Sequence, residues 1–219
     1  MDAHVREPKL DRKTKTALIV FLVGVIASVV GLATWSAYSS TTSNTNNQFQ
    51  TGSVVLSDND SGTAMFNMTG ARPGDTVSKC ITVTYTGTLT SNVTLYGTGT
   101  AGNGLDAYLD LKVTRGGFTS NTPSNMACSD GGTGSTFQAD SVTYSGGNGA
   151  GANGVLFNAR MNLYPTSWAT GILDAPGGTA EAWTNPEPHV YKFEVTVAND
   201  NNGANKNHTQ TFTWEARDA

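Results

Sequence analysis

Hydrophobic and polar residues alternate along most of the chain after residue 60, which is the pattern of half-buried β-strands. The clearest run is 76–86, where Val77, Ile81, Val83 and Tyr85 share one face and threonines fill most of the other. Helical spacing fits these runs poorly. The alternation predicts strands at 63–69, 76–86, 91–98, 105–114, 136–144, 155–163, 191–197 and 211–215.

Turn-forming residues separate these predicted strands. Pro73-Gly74-Asp75 predicts a tight turn that opens a hairpin, and the Asn-rich segment 199–207 predicts a second hairpin. The prolines between 176 and 188 argue against a central strand there, the tract 146–154 predicts a mobile loop because glycine is flexible, and 166–173 predicts one short helix. About eight to ten short strands without βαβ alternation predict an all-β antiparallel two-sheet sandwich, with one or two short helices and long Gly/Asn-rich loops.

The N-terminal 37 residues have a different pattern. Arg12, Lys13 and Lys15 precede an apolar run, 17–37, that contains no charged residue. This order of basic and apolar regions indicates a secretory signal, and we predict cleavage between Ala37 and Tyr38. An uncleaved signal anchor is the alternative, since about 20 apolar residues can cross a bilayer. The predicted organisation is a signal peptide or anchor at 1–37, an N-terminal linker or donor strand at 38–50, and a β-sandwich domain at 51–219.

Several short motifs at both ends of the chain point to one family. Gly31-Leu-Ala-Thr-Trp-Ser-Ala-Tyr38 is followed by Asn46-Asn-Gln-Phe49 and Gly52-Ser-Val-Val-Leu56, and further motifs lie at 56–62, 71–75, 80–87, 191–197 and 211–217. With them the chain resembles the TasA/camelysin family of secreted bacterial matrix and surface proteins. The resemblance implies cleavage after Ala37 by a dedicated signal peptidase, a jelly-roll-like fold and fibres joined through N-terminal segments. It says little about 116–186.

Charge limits the partners of the exported part. The chain has 13 basic and 17 acidic side chains, and residues 38–219 keep eight and fourteen of them, a net charge of about −6. Without a basic patch, binding to nucleic acid or anionic lipid has no electrostatic driving force. We therefore predict no nucleic-acid partner, and membrane association only through an uncleaved leader.

The sequence contains two cysteines. Cys80 falls on the threonine-lined face of its predicted strand, and Cys128 lies in a Ser/Gly-rich loop, so neither is placed as an ordinary buried hydrophobe. In an exported protein an even pair most simply forms one disulfide. We predict a bond between Cys80 and Cys128, with two unpaired thiols as the alternative.

Residues suited to metal binding or catalysis are few. Asp58 and Asp60 are weak candidates for an oxygen-rich cation loop, and a polar turn is the favoured alternative. A zinc site of His189, His208 and a carboxylate such as Glu194 is less well supported than two solvated loop histidines, because the sequence has no H-E-x-x-H motif. It also lacks a G-x-S-x-G nucleophile motif and a phosphate-binding loop. We predict no catalytic residue and no cofactor.

These observations predict a secreted structural subunit that forms a homopolymer in an extracellular matrix, biofilm or cell-surface fibre. Residues 39–57 carry no charge, and an open sheet edge can accept such a segment from a neighbouring subunit in head-to-tail order. The candidate anchors of this donated strand are its apolar residues: Tyr38, Phe49, Val54, Val55 and Leu56.

Two other functions stay open at this stage. The first is a camelysin-like, membrane-attached metalloprotease, which the resemblance implies. The second is a β-sandwich adhesin or carbohydrate-binding module that exposes Trp168, Trp183 or Tyr108. Because aromatic residues scattered along a sequence are more often part of a core or a loop anchor, the structural subunit is the preferred prediction.

Overall fold

The computed structural model describes residues 39–42, 53–123, 126–130 and 134–219, and for 39–42 it describes the backbone. All of them belong to one compact unit, Tyr38–Ala219. The predicted signal segment 1–37 lies outside the described residues. Within the described ranges, the helices are too short and too polar to cross a bilayer.

The described residues form eleven strands, in agreement with the predicted all-β class. In chain order they are β1 Ser39–Thr42, β2 Leu56–Asp58, β3 Thr76–Tyr85, β4 Ser91–Gly102, β5 Leu109–Phe118, β6 Phe137–Ala139, β7 Val155–Arg160, β8 Ile172–Leu173, β9 Ala182–Trp183, β10 Glu187–Val197 and β11 His208–Asp218. The first sheet has the order β1-β11-β4, with β8 and β9 both pairing β4. The second has the order β2-β3-β10-β5, with β6 and β7 both pairing β5. Every pairing is antiparallel.

The two sheets pack their apolar faces together, which confirms the predicted two-sheet sandwich. Ile81, Val83 and Tyr85 of β3 are almost completely buried, as their alternation requires. On β10, Phe193 contacts Trp214 of β11 in the other sheet, with the ring centroids 5.8 Å apart. Strand β10 pairs with β3 on one side and with β5 on the other, so it is central in the second sheet.

Several predicted elements differ from the structure, and the strand predicted at 136–144 extends only over Phe137–Ala139. Residues 63–69 form no strand, although Phe66 and Met68 pack against the core, so the alternation there reflects burial without strand pairing. Strand β5 begins only at Leu109, because residues 105–108 form a 3-10 turn. The helix predicted at 166–173 is a 3-10 turn of three residues, Trp168–Thr170, followed by β8.

Residues 199–207 connect the two sheets. The hairpin predicted there is wrong, because β10 and β11 lie in different sheets and find their partners elsewhere. The exclusion of a central strand near the prolines is also wrong, since Pro188 is the second residue of β10. Pairing of β10 with β5 begins at Val190, so Pro188 lies at the strand end, where its missing N–H is tolerated.

The glycine tract 146–154 is fastened to the sheet instead of forming the predicted mobile loop. Its backbone makes a hydrogen bond from Asn158 N to Asn148 O over 2.8 Å and another from Gly154 N to Val142 O over 2.9 Å. A Cβ placed on Gly147 would overlap the carbonyl oxygen of Leu156. Glycine is needed there because two backbones approach closely.

Candidate functional site

Cys80 and Cys128 form a disulfide, as the sequence predicts. Cys80 lies on β3 but is only 1% exposed, in contrast to the open face predicted for it. Its backbone N–H donates to the carbonyl oxygen of Met126 over 2.9 Å, so the chain around Met126 runs beside β3. The disulfide therefore fastens the loop that contains Cys128 to the second sheet.

A cluster of charged side chains joins the two sheets. In the second sheet, Arg115 lies on β5, and Glu187 and His189 lie on β10. In the first sheet, Asp174 directly follows β8 and Glu181 directly precedes β9. Alternation places Arg115 on the same face as the buried residues of β5, so its guanidinium points towards the core.

Arg115 holds the two carboxylates of the first sheet. Its Nη1 atom lies 2.5 Å from Asp174 Oδ1 and 2.5 Å from Glu181 Oε2. Its Nη2 atom lies 3.2 Å from His189 Nε2. One guanidinium thus contacts three side chains, two of which belong to the other sheet.

His189 is the second centre of the cluster. Its Nδ1 lies 2.8 Å from Asp174 Oδ2, and its Nε2 lies 2.9 Å from Glu187 Oε1. The indole of Trp183 covers the imidazole, with ring centroids 3.7 Å apart. The hydroxyl of Tyr191 donates a 2.8 Å hydrogen bond to Asp174 Oδ2. Asp174 therefore has three partners, which satisfies a carboxylate whose side chain is only 4% exposed.

The pKa values of these groups follow from burial and opposite charge. Burial alone would raise the pKa of Asp174, but the hydrogen bond to His189 and the charge of Arg115 outweigh it, so the pKa lies below the usual value. Burial would likewise lower the pKa of Arg115, but Asp174 and Glu181 raise it. Burial and the neighbouring Asp174 carboxylate raise the pKa of Tyr191. At neutral pH Asp174 and Arg115 therefore stay ionised, and Tyr191 keeps its proton.

The same cluster is the one group of three candidate metal ligands within the described ranges: Asp174, Glu181 and His189. Their ligand atoms lie within 4.8 Å of one another, but they do not fit a metal ion. The Arg115 guanidinium already occupies the position between the carboxylates and carries a fixed positive charge. A catalytic zinc also needs an open position for water, whereas Asp174 and His189 are buried. The arrangement supports no metal-assisted reaction.

The structure does not bring together the zinc ligands considered from sequence. His189 is buried on β10 and is not a solvated loop residue. His208 lies in the other sheet and contacts Gln210 over 3.1 Å, and Glu194 pairs with Lys192 over 2.8 Å. The predicted pair of loop histidines is therefore wrong for His189.

The aromatic residues considered for carbohydrate binding are also dispersed. Trp183 is completely buried against the histidine of the charged cluster. Trp168 stacks under the guanidinium of Arg217 at 4.4 Å, and Tyr108 lies under the ammonium group of Lys206 at 5.7 Å. These three side chains form no shared aromatic platform.

The predicted assembly residues fall into two groups. Val54 and Leu56 are each 5% exposed and belong to the core of their own subunit, and Val55 lies between them at the start of the second sheet. Ala37, Tyr38 and Phe49 lie outside the described residues. Directly after Tyr38, β1 pairs with β11, from Ser39 opposite Arg217 to Thr42 opposite Trp214.

Part of the chain matches a known protein family. Residues 9–103 match the family model described as Camelysin metallo-endopeptidase. Over these residues the match supports the resemblance to the TasA/camelysin family. This family also includes non-enzymatic members, and the matched range ends one residue after β4. All residues of the charged cluster therefore lie outside the part of the chain that matches the TasA/camelysin family. Compared with individual curated proteins, the chain has no match.

Proposed function

We propose that this protein, which resembles the TasA/camelysin family, is a secreted structural subunit that forms extracellular matrix or surface fibres by exchanging its N-terminal strand between copies. The placement of β1 carries this proposal. The strand begins two residues after Ala37 and pairs with the last strand of the chain, β11. The match to the camelysin family model and the disulfide both support a location outside the cytoplasm.

Exchange of β1 costs little in principle, because the hydrogen bonds lost within one subunit are replaced by the same bonds to the next. Strand β1 lies at the edge of its sheet, so no other strand must move to release it. Among the described residues, positions 208–213 of β11 have no strand partner on the β1 side. A donated strand that continues β1 in the observed register would run beside these positions.

The donated segment ends before Val54, because the residues from there onward are part of the core of their own subunit. Strand β2 pairs with β3, and the carbonyl oxygen of Val55 accepts the N–H of Thr86 over 2.9 Å. Val54 and Leu56 are buried in the same region, so they anchor the chain in its own subunit. The exchanged segment therefore lies within 38–50, with β1 as its paired part and the residues after β1 as the connection to the core. Residues 43–52 can span about 33 Å when extended, which is enough to link neighbouring subunits.

Processing would control assembly in this proposal. Signal peptidase cleavage between Ala37 and Tyr38 frees the strand from the leader, which otherwise holds it at the membrane. N-terminal sequencing of the secreted protein is expected to begin Tyr38-Ser-Ser-Thr. Ala37→Arg should block this cleavage, because the site requires a small side chain. A secreted chain that still contains Phe21 would contradict the predicted cleavage site.

A cysteine pair across β1 and β11 tests the exchange directly. Ser39→Cys and Arg217→Cys place two thiols opposite each other in the observed register. If the monomer is oxidised first, the bond forms within one chain and should abolish filament growth, and mild reduction should restore it. If filaments grow first and are then oxidised, the bond should form between chains and give a ladder of covalent multimers in non-reducing gels.

Each single-cysteine variant is the matched control, because it carries the same substitution without a partner thiol. Filaments that grow at the normal rate from the oxidised monomer would contradict the proposal.

A second test is deletion of 38–50, which is expected to leave a folded monomer that cannot polymerise. The separate peptide of those residues should then bind the truncated protein and block the acceptor edge of intact subunits.

A further inference from the structure

We propose that the guanidinium of Arg115 is the resident cation of the Asp174–Glu181–His189 cluster, and that replacing Arg115 with a neutral side chain converts this cluster into a binding site for a divalent metal. The family description implies a metal, yet in the one group of three candidate metal ligands among the described residues an arginine lies between the carboxylates. This inference concerns the cluster itself and does not depend on fibre formation.

The contacts assign the position of the cation. Arg115 Nη1 lies 2.5 Å from one oxygen of Asp174 and 2.5 Å from one oxygen of Glu181. Arg115 Nη2 lies 3.2 Å from the Nε2 atom of His189. The three residues named as candidate metal ligands are thus the residues that the guanidinium contacts. A metal ion and this guanidinium cannot occupy the cluster together.

The distances favour the guanidinium. Zinc bonds to nitrogen and oxygen measure about 2.0–2.2 Å, so the ligand atoms of a tetrahedral site lie roughly 3.4 Å apart. The ligand atoms here lie within a wider limit of 4.8 Å. The contacts of Arg115 with these residues measure 2.5–3.2 Å, which are hydrogen-bond lengths and suit a planar cation with several donors. The atoms are close enough for a metal only if the arginine leaves and the ligands move together.

Charge explains why an empty cluster would attract a cation. Asp174, Glu181 and Glu187 bring three carboxylates, and the side chain of Asp174 is only 4% exposed. Without Arg115, Asp174 and Glu181 would lose their shared counter-ion in a region of low dielectric constant, which is unfavourable. A divalent ion restores the missing charge and accepts the same two oxygens and the imidazole nitrogen as ligands.

Arg115 also connects the two sheets through its ion pairs with Asp174 and Glu181. Arg115 belongs to the second sheet, whereas Asp174 and Glu181 adjoin β8 and β9 of the first. A covalently attached cation joins them permanently, and a chelator cannot remove it. The wild-type connection between the sheets should therefore not depend on any metal in the surroundings.

The test compares the purified wild-type protein with Arg115→Met and Arg115→Gln, using zinc chloride as the probe and EDTA as the reference condition. Calorimetric titration measures zinc binding, and thermal unfolding measures its effect on Tm. The wild type is expected to bind no zinc at this cluster and to have the same Tm in zinc and in EDTA. Each variant should have a lower Tm in EDTA. Zinc at a hundred times its dissociation constant should raise the variant Tm by about 5 °C.

Glu181→Gln provides the matched control, because it removes one ligand charge at a partly exposed position. Combined with Arg115→Met, it should abolish the gained zinc binding. Wild-type protein that binds one zinc ion and loses it with Glu181→Gln would overturn the proposal. Failure of both Arg115 variants to bind zinc, or to fold even in its presence, would overturn it as well. Filament formation by the wild type is scored separately and does not affect either result.

Discussion

The carboxylate of Asp58 accepts the backbone N–H of Asp60 over 3.2 Å, and Asp60 accepts the N–H of Gly62 over 2.6 Å. Between them, Asn59 Oδ1 accepts the N–H of Thr82 over 2.9 Å and fastens the segment to β3. These side-chain oxygens shape a polar turn, the alternative favoured from sequence. Calcium binding by Asp58 and Asp60 is the less favoured interpretation of this segment, and stability measurements can test it.

The first prediction concerns pH. Burial and the neighbouring Asp60 raise the pKa of Asp58 from 3.8 to about 6. The native state therefore holds this proton more tightly than the unfolded chain, and the free energy of unfolding should fall as pH rises from about 4 to 6. Asp58→Asn keeps the acceptor and removes the charge. The shift in the pKa of Asp58 corresponds to roughly 3 kcal/mol of folding free energy. Because Asp58 is only half-buried and solvent screens its charge, we expect the substitution to raise the free energy of unfolding at pH 7 by about 1 kcal/mol.

Urea unfolding of the wild type and Asp58→Asn at pH 4 and pH 7 measures this effect. The two proteins should have nearly equal stability at pH 4, where Asp58 is protonated. Asp75→Asn is the control, because Asp75 accepts a similar turn hydrogen bond from Arg72 but is exposed. An equal gain at both pH values would contradict the assigned cause. A calcium-dependent rise in Tm that disappears with Asp58→Asn would instead support the cation loop.

The second prediction concerns the glycine tract. In Gly147→Ala the new Cβ would overlap the carbonyl oxygen of Leu156, so the strand must shift. The free energy of unfolding should fall by about 2 kcal/mol. Gly151→Ala is the matched control, because no atom lies within 4 Å of its Cβ position, and it should change stability by no more than about 1 kcal/mol. Equal effects in chemical denaturation would show that the tract is not closely packed.

The third prediction concerns the disulfide. Cys128→Ser should lower the free energy of unfolding by about 2–4 kcal/mol, because the oxidised bond closes a long loop in the unfolded chain. Cys80→Ser combined with Cys128→Ser should cost little more than one substitution, since both remove the same bond. Peptide mapping without reductant should recover one cross-linked peptide pair. Two freely alkylated thiols in the secreted protein would contradict the bond.

The fourth prediction concerns proteolysis. If the purified protein degrades casein, that activity should survive the combination of His189→Ala and His208→Ala, because the two histidines share no site. The assay must be run below the Tm of the variant, since His189→Ala leaves Asp174 without its 2.8 Å partner and should cost about 1–3 kcal/mol. His208→Ala alone is the control with little expected effect on stability. Loss of a chelator-sensitive activity in His208→Ala would support a metalloprotease.

Alternation was sufficient to predict the fold class because each face of a strand has one environment. It identified the buried residues of β3 and the strongly alternating parts of β10 and β11. It could not assign partners, since a strand with one apolar face fits equally well beside several others. For this reason the segment 199–207 was interpreted as a hairpin, although it crosses from one sheet to the other.

The charged cluster was missed for a related reason. Arg115, Asp174 and His189 are separated by many residues and form no local motif. A signal was nevertheless present, because Arg115 continues the apolar face of Leu111 and Val113, and His189 continues that of Tyr191. A charged residue on the core face of a strand requires a buried partner. The identity of that partner depended on the connections between sheets, which periodicity does not specify.

The pairing of Ser39 with Arg217 also determines where the protein can carry a label. Ala219 lies two residues beyond Arg217, and its N–H donates to Thr90 over 3.1 Å. A fluorescent protein or affinity tag fused after Ala219 would therefore lie close to β1 and hinder its pairing with β11. Insertion beside Gly151, where no atom lies within 4 Å of the Cβ position, keeps the label away from this pairing and suits imaging of living cells.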